Sequence, residues 1–192
     1  MLNIIRLFHI SLLILVLAVS ANAQTPISND KATQHFNNGM EALILKDSLS
    51  AFQEFEQAYT FSQKDDKITY YYLMLSLSLE KPFAVETTIR WFNETTNIIY
   101  ASRLHYFLGG YYFKKQEVKK SITAYLACPI EDLNNDEIST MKFHLGYLYF
   151  KSGDWANAGN LLNSLRQLKS GKYYTDANYY AGFLALKNKA YN

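Results

Sequence analysis

The chain is poor in the residues that break or staple a fold. Its 192 residues include three prolines, eight glycines and one cysteine. Strand-and-turn architectures need proline and glycine at nearly every reversal, so their scarcity points to long helices. The single cysteine, Cys128, excludes an internal disulfide. It lies in the apolar stretch Ala124-Tyr125-Leu126-Ala127-Cys128 and reads as a small buried apolar residue. An excess of charge is missing too. Nineteen basic and seventeen acidic residues are interspersed, with a net charge of +2, which gives no field suited to nucleic acid.

Chemical motifs are absent as well. There is no phosphate-cradling glycine loop, no Gly-x-Ser-x-Gly and no His-Glu-x-x-His. His35, His105 and His144 lack a second ligand at metal spacing and read as packing residues. No catalytic residue, metal or other cofactor is implied, and the expected protein is not an enzyme. The basic run from Lys114 to Lys120 reads as a solvated turn.

What the chain does have is apolar and aromatic. It is 49% hydrophobic, with 16 Tyr and 12 Phe. That is enough for a globular core. Residues 1–23 carry one positive residue, Arg6, an apolar stretch over 7–19, and Ala21-Asn22-Ala23. This is the three-part pattern of a secretory signal peptide cleaved after Ala23. The expectation is an exported chain, periplasmic or extracellular, that meets the membrane only through an uncleaved signal segment. Residues 24–31 read as a short linker.

From residue 32 a repeat organises the sequence. Anchors at Gly39, Met74, Gly109, Gly146 and Gly182 are spaced 35, 35, 37 and 36 residues apart. Twelve residues after the first four stand Ala51, Glu86, Ser121 and Ala158, and sixteen after them Phe55, Arg90, Tyr125 and Leu162. Units of about 32–66, 67–101, 102–138, 139–174 and a partial 175–192 follow. Each full unit holds two apolar-periodic segments of helical length. Turn residues separate them: Lys46-Asp47, Glu80-Lys81-Pro82, 114–117, and Ser152-Gly153-Asp154.

Leu145-Gly146-Tyr147-Leu148-Tyr149 with Gly153-Asp154-Trp155-Ala156-Asn157-Ala158, and Leu108-Gly109-Gly110-Tyr111-Tyr112, resemble the tetratricopeptide repeat. The copies at 32–66 and 67–101 are degenerate. The resemblance implies an all-α fold: an α-solenoid of about four stacked antiparallel helix pairs plus a final helix, after the signal helix. It also implies a concave groove lined by first helices. Three residues before the anchors stand Phe36, Tyr71, Tyr106, Phe143 and Tyr179, the expected aromatic ladder of that groove. Five after the last three anchors stand Lys114, Lys151 and Lys187, suited to acidic groups on a partner. A clamp for a terminal carboxylate of the family's asparagine type is not supported, because Tyr147 and Phe183 occupy its places.

The expected function is that of a non-catalytic scaffold of the cell envelope that binds a peptide or protein segment. The alternatives are a structural spacer or assembly component, or the leading part of a longer multidomain protein. The apolar stretch from Ala181 to Leu186 adds self-association through the C-terminal end as a further expectation.

Overall fold

The computed structural model describes the backbone of residues 25–190 and the side chains of 30–187. The expected signal peptide lies outside the described residues. The fold is all-α, with no strand among the described residues. Its helices are α1 (Thr25–Ile44), α2 (Ser48–Phe61), α3 (Asp66–Ser78), α4 (Ala84–Glu94), α5 (Ile98–Lys114), α6 (Val118–Leu126), α7 (Asn135–Ser152), α8 (Trp155–Arg166) and α9 (Tyr174–Ala190). A short 3₁₀ turn, Ile130–Asp132, precedes α7. The last helix runs through Lys189 to Ala190.

Helix starts are set by side-chain caps. The carboxylate of Asp47 accepts from the Ser50 amide at 3.1 Å, and that of Asp154 from the Asn157 amide at 3.2 Å. Asn97 caps α5 in the same way through the Tyr100 amide. At α7 the cap is reciprocal. Asn134 accepts from the Glu137 amide while the Glu137 carboxylate accepts from the Asn134 amide at 2.9 Å.

The turns inside the pairs end on a left-handed residue: Lys46 (φ 59°), Glu80 (φ 56°), Gln116 (φ 58°) and Gly153 (φ 83°). The residue after each donates its amide to a carbonyl five positions back, as in Asp47 to Ala42 at 2.9 Å and Asp154 to Tyr149 at 2.9 Å. This bond satisfies a helix-end carbonyl that has no partner inside the helix. Only Gly153 meets the left-handed geometry without a Cβ penalty, which is about 1 kcal/mol for the other three. Pro82 sits in the turn just ahead of α4.

The chain divides into two compact units, Met1–Leu75 and Ser76–Asn192, a coarser division than the sequence repeat, and the boundary falls within α3. In the first unit α1 packs on α2. Phe55 is fully buried and meets Phe36 at 5.5 Å and Tyr71 at 5.3 Å between ring centroids. Tyr72 stacks on Tyr59 at 4.5 Å.

In the second unit α5 packs on α6, α7 on α8, and α8 on α9. One core cluster joins Tyr125, Cys128, Leu133, Met141 and Leu145, and another joins Ala158, Leu162, Leu165, Ala177 and Leu184. Arg103 braces α5 to the segment before α7. It donates to the Asp132 carbonyl and pairs with the half-buried Glu137 carboxylate at 3.0 Å.

The glycine anchors explain how the pairs close. An added Cβ would stand 2.6 Å from the Phe55 ring at Gly39, 2.6 Å from the Tyr125 ring at Gly109, and 3.1 Å from Leu162 at Gly146. In each case the covering side chain is the one sixteen residues on. The small residue four positions ahead of it, Ala51, Ser121 or Ala158, is buried. Small side chains let the two backbones approach, and the large one fills the space above the glycine. At Ser121 the hydroxyl also donates to the Gly109 carbonyl at 2.8 Å. The second repeat has Met74 at the anchor and Arg90 at the covering position. Arg90 is exposed and pairs with Glu86 along its own helix at 3.0 Å.

Candidate binding cleft

The repeat places the expected site residues on successive first helices, but packing treats them differently. Phe36 is buried at 8% exposure among Phe55, Tyr71 and Lys67, so it is a packing residue. Tyr71 is half-buried in the same aromatic group. Tyr106 is half-buried against Tyr125, and its hydroxyl is hydrogen-bonded with Thr140. Burial, the largest cause, pushes its ionisation up to about 12. Tyr179 points outward at 61% exposure. The five aromatics therefore do not form one accessible ladder.

Three expected residues do come together. Phe143, Lys114 and Lys151 line a cleft of about 420 Å³ in the second unit, with Phe113, Tyr147 and Tyr180. Its apolar wall is ordered by ring contacts. Phe143 stacks on Tyr173 at 4.5 Å, and Tyr147 meets Phe113 at 5.8 Å and Tyr180 at 5.3 Å edge to face. Lys151 is exposed, with Nζ 5.8 Å from the Tyr147 ring centroid. Lys114 donates to the Ser78 carbonyl at 3.0 Å and lies 3.4 Å from the Glu80 carboxylate, which Lys115 also meets at 2.7 Å. The Lys115 hydrogen bond, chiefly, holds the Glu80 carboxyl below its ordinary range. Among the described residues the cleft lining carries two lysines and no carboxylate.

Lys187 is placed elsewhere. Its Nζ lies 3.5 Å from the Trp155 ring centroid, a cation–π contact on α8.

Sequence reasoning missed Phe113, Tyr147 and Tyr180. The available signal was Tyr147, an aromatic directly after an anchor glycine, where a side chain projects beside the closest backbone approach.

The histidines are packing groups of two kinds. His144 lies beneath Phe113, with ring centroids 3.7 Å apart, and its Nδ1 is hydrogen-bonded with the Tyr125 hydroxyl at 2.5 Å. Burial, aided by Lys172, holds its pKa down to about 4, so it is neutral at physiological pH. His35 and His105 occupy equivalent repeat positions. His35 pairs with Glu54 at 2.8 Å, whereas His105 stacks on Phe92 at 4.3 Å and is pushed toward neutrality by burial. Among the described residues no three potential ligands converge as a metal site. No described helix is long and apolar enough to cross a membrane.

No family model matches the chain, and no curated protein matches it.

Proposed function

We propose that the chain is an exported, non-catalytic interaction module of the cell envelope, an α-solenoid of stacked tetratricopeptide-like helix pairs that binds a peptide segment of a partner protein. The pairing of helices within each unit is supported by the glycine seats at Gly39, Gly109 and Gly146, which fall on the repeat's anchors. The observation that carries the function is the cleft of about 420 Å³ that joins Phe143, Tyr147 and Tyr180 to Lys114 and Lys151. Stacked aromatic rings offer large contact area at low entropy cost. Two lysines with no carboxylate in the lining favour a segment that carries acidic side chains beside an apolar one.

Fluorescence anisotropy with two labelled peptide sets tests this reading. One set alternates Leu or Phe with Asp and Glu; the other replaces the acids by Asn and Gln. The acidic set is expected to bind more tightly. Lys151→Glu should weaken it at least about fivefold, a cost of roughly 1 kcal/mol, and leave the melting temperature unchanged because Lys151 is exposed. Equal binding of both sets, or none by either, ends the reading. A second reading, an assembly component of an envelope complex, is favoured by the uncovered face of α9.

A further inference from the structure

We propose that the second unit docks on a bilayer surface rich in anionic lipid, through the end of its helices formed by the turns inside the pairs. The basic run 114–120 reads from sequence as a solvated turn, but the fold gives that run basic neighbours. α5 and α7 lie side by side in one direction: Arg103 meets Glu137 near their starts, and Phe113 meets Tyr147 near their ends. Lys114 and Lys115 both reach Glu80 of the preceding turn. Lys114, Gln116 and Val118 share one cleft with Lys151 at the end of α7. Lys187, late in α9, lies over the Trp155 ring that opens α8. These contacts bring the turns to one end of the unit.

Charge is divided between the two ends. The turns 79–83, 114–120 and 151–155 hold six lysines and three carboxylates. The connections between pairs, 94–98, 127–137 and 167–174, hold five carboxylates and two lysines. The net charge of +2 conceals this division. Pairing does not cancel the basic end either. Glu80 takes up Lys114 and Lys115, Glu117 takes up Lys120 at 2.5 Å, and Asp154 caps α8. Among the described residues Lys119 and Lys151 have no carboxylate partner, and both are exposed. Lys119 and Lys120 also stand in the first turn of α6, where the helix dipole disfavours a cation. Helix stability gives no reason for them to be there.

The chemistry favours a lipid surface over an acidic protein segment. All six cations are lysines, with no arginine in these turns. Arginine supplies the planar fork that grips one carboxylate, whereas an ammonium is a point charge suited to a diffuse layer of phosphates. The lysines are spread over successive turns rather than gathered in one pocket. Phe83 and Trp155, 36% and 37% exposed, stand at the same end. Aromatic rings favour the headgroup level of a bilayer. Each lysine near such a surface strengthens binding about fivefold.

Co-sedimentation of the full chain with vesicles tests this. One kind is phosphatidylcholine alone; the other is equal parts phosphatidylcholine and phosphatidylglycerol. The apolar stretch over 7–19 is common to every sample, so comparison among variants reads the turn lysines. The native chain should prefer the anionic vesicles, and a rise in NaCl from about 0.1 to about 1 M should abolish the preference. Lys119→Glu combined with Lys120→Glu should weaken binding to anionic vesicles at least about tenfold. Lys169→Glu combined with Lys172→Glu makes the same charge change at the opposite end and should alter it less than about twofold. All four side chains are exposed, and melting curves check that both variants fold. None of the four lines the candidate cleft, so the outcome is separate from peptide binding there. Equal binding to the two kinds of vesicle, or equal loss in the two variants, overturns the proposal. So does tighter binding to polyglutamate than to anionic vesicles at matched anion concentration, which would assign the basic end to an acidic protein.

Discussion

Two helices of the second unit, α5 and α9, use the same residue in opposite ways. At Gly109 the Tyr125 ring lies so close that a methyl group would stand 2.6 Å from it, whereas at Gly182 a methyl group would stand in open space. Glycine inside a helix costs about 1 kcal/mol relative to alanine. At Gly109 close approach of two helices and burial of a whole tyrosine offset that cost. At Gly182 no described residue does. Helical geometry alone does not distinguish the two glycines; the side chain above them does.

The largest expected difference between the closed and open seats comes from removing their large side chains. Tyr125→Ala deletes a side chain that is 1% exposed and should destabilise the chain by about 3–5 kcal/mol. Phe183→Ala, at 47% exposure, should cost about 1 kcal/mol or less. Urea unfolding of the two variants at low protein concentration measures both. Similar losses would break the contrast.

Acid is a second way to open the closed seat. Burial keeps His144 neutral beside Tyr125, with which its Nδ1 shares a hydrogen bond. Its pKa is about 4 in the folded chain against 6.5 for the free group. On acidification the unfolded chain takes up this proton first. The stability tied to neutral His144 is thus complete above pH 6.5 and is lost as the pH falls from 6.5 to about 4. Its size is on the order of 3 kcal/mol. Unfolding free energy measured across that window should fall less steeply in His144→Gln than in the native chain. An unchanged slope would contradict the assignment.

Much of the fold was readable because its periodic signal is made of contacts. The sixteen-residue offset from Gly39 to Phe55, from Gly109 to Tyr125 and from Gly146 to Leu162 is a pattern in the sequence and a touching pair in the fold. The turn residues were readable because helix ends need a left-handed cap, which lands on Lys46, Gln116 and Gly153.

The site was less readable. The position three residues before each anchor selects aromatics, but Phe36 and Tyr106 are taken up by packing against Phe55 and Tyr125. A repeat position fixes the helix and the rough direction of a side chain. It does not fix whether a neighbouring ring covers it. Likewise Lys114, Lys151 and Lys187 share one register yet meet a Glu80 carboxylate, a Tyr147 ring and a Trp155 ring. The differences come from residues outside the repeat pattern.

The central claim is that the glycines are seats for large side chains, closed at Gly109 and open at Gly182. The most direct test is the change in unfolding free energy for Gly109→Ala and Gly182→Ala, measured at concentrations where the chain is monomeric. Gly109→Ala should destabilise by about 1–3 kcal/mol through overpacking against Tyr125. Gly182→Ala should stabilise by up to about 1 kcal/mol through helix propensity alone. Changes of the same sign at the two positions would contradict the account.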